Sequence, residues 1–188
     1  LNGLLRNHRL FALAKAPLKN RIEILNALIE KDSENPIWQT DAAALQRVRL
    51  EQLRAEIAEC IRKQDVARLR IIEQELAGSK WWVEVPPHLL AQTRSGIAEF
   101  ARQDAMKRLV EVGEQLQQAY AAYDVRRGIE LAGEIDSLMA EAKPSDQDPT
   151  VEAITPAMEW VDEQKGMLAH QRRVQTLIEQ LEHALETH

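Results

Sequence analysis

The sequence is poor in the residues that most often announce a chemical task. Its single cysteine, Cys60, cannot form an internal disulfide or a Cys-x-x-Cys redox pair. Only 7 glycines occur, and none belongs to a phosphate-cradling loop, a dinucleotide-binding turn or a G-x-S-x-G elbow. That speaks against nucleotide enzymes and serine hydrolases. None of the five histidines, His8, His88, His170, His183 and His188, has Glu three residues before it. A di-iron helical bundle needs that spacing to aim both ligands inward. Glu179 and His183 are four apart but near the end of the chain. No metal or other cofactor is expected, and neither is an enzyme. No apolar run approaches the roughly 18 residues that a membrane-spanning helix requires. Basic charge is also in deficit: the net charge is −6, so no nucleic-acid partner is expected.

What is present is helix-forming. Ala, Leu, Glu, Gln and Arg dominate, and these lose least entropy on entering a helix. Pro36 after Asn35 reads as a helix start. Leu45, Val48, Leu53, Ile57, Cys60 and Ile61 then recur at helical spacing. Cys60 on that stripe reads as a small buried hydrophobe in a reducing, cytoplasmic compartment. Asp65 reads as the cap of a second helix with Val66, Leu69, Ile72 and Leu76 inward, ending at Gly78. Residues 36–77 are thus predicted to form a hairpin with a very tight turn.

A stripe of Ile97, Ala101, Ala105, Leu109, Val112, Leu116, Ala119 and Tyr123 keeps one phase for a long way. It predicts one long unbroken helix. Asp124 caps the next helix, with Val125, Ile129, Ala132, Ile135 and Met139 inward. After the loop KPSDQDPT, the last segment carries Ile154, Met158, Val161, Leu168, Val174, Leu177, Leu181 and Leu185. Two shorter helices, over about 3–14 and 17–31, open the chain. WVEV at 82–85 is the one candidate strand, too short to stand alone.

Two internal echoes occur. DVAR at 65–68 returns as DVRR at 124–127, with Leu50 matched by Leu109 and Leu76 by Ile135. IAECIRKQD at 57–65 resembles IAEFARQD at 97–104, which would make Asp104 a cap and break the long helix. The unbroken apolar phase favours continuity. The expected fold is all-α: an elongated array of antiparallel helical hairpins, irregular repeat or bundle, with about six to eight helices. The helix–turn–helix alternation is similar in outline to tetratricopeptide arrays, but their 34-residue period and signature residues are absent. A spectrin-like or four-helix bundle is the alternative. Residues 1–188 read as one helical domain of a larger protein, with 1–79 and 80–188 as candidate sub-units.

Basic residues gather at the turns: Arg62, Lys63, Arg68 and Arg70 at one, Arg126 and Arg127 at the next. Arg172 and Arg173 stand where a third turn would fall. Glu30, Asp32, Glu34, Asp146 and Asp148 occupy other loops. The basic turns would suit an anionic partner or lipid surface, or would simply offset helix dipoles. Of the four tryptophans, Trp38 and Trp160 follow Pro-containing loops and read as plugs between helices. Trp81 and Trp82 stand together before the Pro86–Pro87 pair. Neighbours in extended chain face opposite ways, so one is expected to plug and the other to be an exposed anchor.

The leading expectation is a non-catalytic scaffold or protein–protein interaction module, its partner another protein or neighbouring domains of the same chain. The second is an assembly or membrane-surface protein acting through its Arg-rich end. Candidate partner-binding residues are Trp81, Trp82, Arg62, Lys63, Arg68, Arg126 and Arg127, and oligomerisation is compatible with either reading.

Overall fold

A computed structural model describes residues 1–145 and 147–186, with the side chains of 184–186 excepted. The described residues form seven helices and no strand. They are α1 (Asn2–Leu13), α2 (Leu18–Lys31), α3 (Pro36–Lys63), α4 (Val66–Gly78), α5 (Pro87–Ala121), α6 (Val125–Ala142) and α7 (Pro149–Glu186). The fold is all-α, as the periodicity predicts, and WVEV lies in an irregular loop.

The helix starts follow local chemistry. Asn35 accepts a hydrogen bond from the Ile37 N–H (3.1 Å), and Pro36 opens α3. Asp65 accepts from the Arg68 N–H (2.9 Å) and Asp124 from the Arg127 N–H (3.0 Å). Each aspartate thereby satisfies one of the free amides that open a helix. α5 runs unbroken through Asp104, so the second echo marks no helix start. α7 is also one helix, continuing past Pro156 and past Arg172–Arg173, where no turn forms. Asp146 lies outside the described residues.

The helices cluster into two compact units, Leu1–Phe100 and Ala101–His188. The division falls inside α5. In the first unit, Leu25, Leu28, Ile29 and Ala42 form one core between α2 and α3, with Trp38 packed against it. A second core joins Leu50, Leu53, Ile57 and Cys60 of α3 to Leu69, Ile72 and Leu76 of α4 and Leu89 of α5. In the second unit, Leu109, Val112 and Leu116 of α5 pack against Leu131, Ile135 and Leu138 of α6 and Ile154, Trp160 and Val161 of α7. Each fully buried aliphatic side chain contributes about 1.5–3 kcal/mol.

The repeat offset by 59 residues is structural. α3–α4 and α5–α6 are joined by the same turn. Gln64 and Tyr123 both take the left-handed conformation (φ 57° and 54°). The next N–H, of Asp65 or Asp124, donates back to Cys60 O or Ala119 O, at 2.9 Å in both. That closes the first helix in a Schellman motif, and the aspartate then caps the second. Two residues outside helix in the first pair and three in the second suffice for the reversal, so each pair packs antiparallel.

Six apolar positions depart from expectation. Val48 and Tyr123 are exposed, and so are Leu168 and the stripe Val174, Leu177 and Leu181. Val48 lies on α3 between the buried positions Ala42, Gln46, Arg49 and Leu53 but turned away from them. Tyr123 is carried outward by its left-handed backbone. The side chain of Leu185 lies outside the described residues.

Candidate interaction site

The loop at 79–86 is held by a buried polar side chain. Gln46 of α3, fully buried, donates from Nε2 to the Lys80 carbonyl (2.8 Å). Its Oε1 accepts from the Trp82 backbone N–H (2.6 Å). A side-chain amide both donates and accepts, so a single side chain satisfies two backbone groups that no helix or sheet pairs.

That clamp sends the two indoles apart. Trp81 packs on the α3–α4 core and Trp82 on the α2–α3 core. Trp82 Nε1 donates to Asn26 Oδ1 (2.9 Å), and Lys80 lies over its ring, 5.2 Å from the centroid. Alternation is therefore correct, but the expected exposed anchor is not there: both rings are half-buried, because both faces of the loop meet a core. Trp38 donates from Nε1 to Asp32 (3.0 Å). Trp160 is a buried plug, flanked by Tyr120 and Tyr123 with centroids at 5.3 and 6.4 Å.

The basic turns are compensated locally. Arg62 and Lys63 both pair with Glu59, at 2.6 and 2.8 Å. The hydrogen bond from Arg62, helped by Lys63, pulls the exposed Glu59 carboxyl down to about 2. Arg126 and Arg127 share Glu130 (3.5 and 3.4 Å). Arg68 reaches across the hairpin to Glu56, which also accepts from Arg49 at 2.6 Å. Burial pushes the Glu56 carboxyl up, but the hydrogen bonds from Arg68 and Arg49 outweigh it and leave the group below its ordinary value. Arg49, largely buried, also grips Glu75 through two hydrogen bonds (2.7 and 2.9 Å). The structure thus ties Arg62, Lys63 and Arg68 into one hairpin and Arg126 and Arg127 into the other, with Glu59, Glu56 and Glu130 as shared acceptors.

Cys60 is buried, and burial, reinforced by Asp65, pushes its thiol pKa up, away from the reactive thiolate. Among the described residues no three potential metal ligands converge, and no helix is long and apolar enough to cross a membrane.

The surface that does stand open is on α7. Up to Val161 this helix is part of the second unit's core. Beyond it, Met167 (52% exposed), Val174, Leu177 (52%), Ile178 and Leu181 (65%) remain in solvent. Met167, Val174 and Leu181 stand seven apart, with Leu177 and Ile178 between the last two, so they share one face of the helix. Arg172 and Arg173 lie towards one end of this stripe, Glu179 and Glu182 towards the other. Val174, Leu177 and Leu181 stand on the periodic stripe read from the sequence; Met167 and Ile178 are not among the residues it singles out.

Neither protein-family models, curated proteins nor solved structures match this chain.

With no relative to argue from, function rests on these surfaces. The Trp-bearing loop is clamped onto two cores, the Arg-rich turns are paired with neighbouring carboxylates, and the α7 stripe is apolar and open to solvent.

Proposed function

We propose that this chain is a non-catalytic helical interaction module, and that the second half of α7 is its docking face. The supporting observation is the exposed stripe Met167, Val174, Leu177, Ile178 and Leu181. A contiguous apolar strip on a single helix is rarely left in water. Burying such residues against a second helix gains the transfer free energy that α5 and α3 gain from their hairpin partners.

The occupant that fits best is the same segment of a second copy, running antiparallel. Arg172 and Arg173 precede the centre of the stripe, and Glu179 and Glu182 follow it. An antiparallel pair sets each basic end beside an acidic end, whereas a parallel pair sets like charges together. The alternative, an anionic surface met through Arg62, Lys63, Arg68, Arg126 and Arg127, is weakened by their ion pairs with Glu59, Glu56 and Glu130.

Sedimentation equilibrium at protein concentrations up to about 0.1 mM tests the proposal. The chain is expected to form a dimer that the double substitution Leu177→Glu and Leu181→Glu converts to monomer with its helicity retained. A wild-type chain that stays monomeric throughout would overturn it. Salt-sensitive sedimentation with anionic vesicles would instead support the alternative.

A further inference from the structure

The first unit carries an open cleft of about 670 Å³ between the α1–α2 connection, the first turn of α2 and the facing sides of α3 and α4. Its charged lining is Lys15, Lys19, Arg21, Arg49, Arg68 and a single carboxylate, Glu75. Arg49 is taken up by Glu75 and Glu56, and Arg68 by Glu56. Among the described residues no carboxylate pairs with Lys15, Lys19 or Arg21. The positive charge left over in the cleft is therefore theirs.

Arg21 is the decisive group. Its side chain is half-buried in the cleft wall, and its Nε–H has no acceptor. A guanidinium N–H withdrawn from water with nothing to donate to is costly, which is why such donors normally have a partner. The start of α2 adds to the demand. Pro17 occupies the cap position and offers no side-chain acceptor, and no acidic residue stands in the first turn. The opening amides and the positive end of the helix dipole thus remain uncompensated on the same wall of the cleft.

We propose that this cleft binds a phosphate monoester, with Arg21 as the directing donor, Lys15 and Lys19 as charge partners, and the first turn of α2 closing one side. A tetrahedral dianion has acceptor oxygens enough for a guanidinium N–H and helix amides together, and charge enough for both lysines. A carboxylate has two oxygens and one charge, and leaves part of this set unmet. The cleft is lined by residues of the first unit alone, so this proposal does not rest on the pairing of α7.

Titration calorimetry at low salt tests it with three probes: inorganic phosphate, a phosphoserine pentapeptide, and the same peptide with Asp in place of phosphoserine. The phosphate-bearing probes are expected to bind and the Asp peptide to bind at least tenfold more weakly. Arg21→Gln and Lys19→Gln should each weaken binding tenfold or more. Arg70→Gln, at an exposed position on α4 outside the cleft, should leave it unchanged. Phosphopeptide binding tighter than free phosphate assigns the ligand to a phosphorylated partner chain; equal binding assigns it to a small phosphate compound. Absence of heat with both phosphate probes, an equal response to the Asp peptide, or an equal loss in Arg70→Gln would overturn the site. Lys19 is exposed at the surface, so its variant keeps the test decisive even where Arg21→Gln disturbs folding.

Discussion

Arg49 and Glu75 bridge α3 and α4 at 2.7 Å, and 59 residues later Arg108 and Glu134 bridge α5 and α6 at 3.0 Å. The second cross-hairpin contact repeats as well: Arg68 meets Glu56, and Arg127 Nη2 donates to Gln115 Oε1 (3.1 Å). The two hairpins therefore share their turn, their apolar register and the polar ties beside it. They differ in how far those ties are withdrawn from water.

That difference predicts unequal effects of one substitution made twice. The Arg49 and Glu75 side chains are 10% and 8% exposed, while those of Arg108 and Glu134 are 55% and 43% exposed. Arg49→Met leaves the Glu75 carboxylate buried without its partner and should cost about 3 kcal/mol. Arg108→Met removes a solvated pair and should cost less than about 1 kcal/mol. Urea unfolding followed by circular dichroism measures both. Equal losses would mean that burial does not set the strength of these bridges.

The residues that the sequence placed well are those whose role is local. Asp65 and Asp124 are short acceptors standing immediately before an apolar repeat, and backbone amides there need such acceptors wherever the helix packs. Leu53, Ile57, Leu69 and Ile72 were legible because helical spacing alone puts them on one face. Gln46 and Arg49 were not, since a polar residue in an apolar stripe reads as an interruption. Only the fold brings Lys80 and Glu75 to them. The α7 stripe failed for the opposite reason. Periodicity reports that Val174, Leu177 and Leu181 share a face, but nothing in it says whether another helix covers that face. Trp81 and Trp82 sit between these cases: their opposite directions follow from extended chain, while the two cores that receive them depend on α2 and α4.

Acid should weaken the α3–α4 hairpin through Glu56. Its carboxyl titrates below its ordinary value of 4.5 in the folded chain, because the hydrogen bonds from Arg68 and Arg49 outweigh the opposing effect of burial. A carboxyl lowered on folding contributes stability that is fully present above the unfolded pKa and is lost as pH falls through the folded one. Stability is thus expected to decline below about pH 4.5. Glu56→Gln should be less stable at neutral pH and show a shallower acid decline. Thermal unfolding from pH 7 to pH 3 checks this, and an unchanged slope in the variant would assign the acid sensitivity elsewhere.

Removing the Gln46 clamp should release the tryptophan loop. Gln46→Leu keeps the volume but leaves the Lys80 carbonyl and the Trp82 N–H without their partner. Each buried unpaired group costs about 1–3 kcal/mol, so a loss of about 3 kcal/mol is expected. Tryptophan emission should shift to the red and become easier to quench with acrylamide as Trp81 and Trp82 gain exposure. Unchanged emission would show that indole packing alone holds the loop.

Two glycines of α6 should respond in opposite directions to the same added methyl group. A Cβ at Gly128 would stand 2.7 Å from Trp160 Cζ3 and 3.2 Å from Val161 Cγ2. The indole has little room to yield, because Tyr120 and Tyr123 pack around it. At Gly133 an added Cβ meets nothing within 4 Å. Both positions are helical, so both substitutions gain the roughly 1 kcal/mol by which alanine exceeds glycine in a helix. At Gly133 that gain should appear nearly whole, as a higher melting temperature. At Gly128 the overpacking should outweigh it, for a net loss of about 1–2 kcal/mol. Combining Gly128→Ala with Trp160→Phe, which removes the clashing part of the ring, should recover part of the loss. Failure to recover any of it would place the cause in the α5–α6 turn and not in the contact with α7.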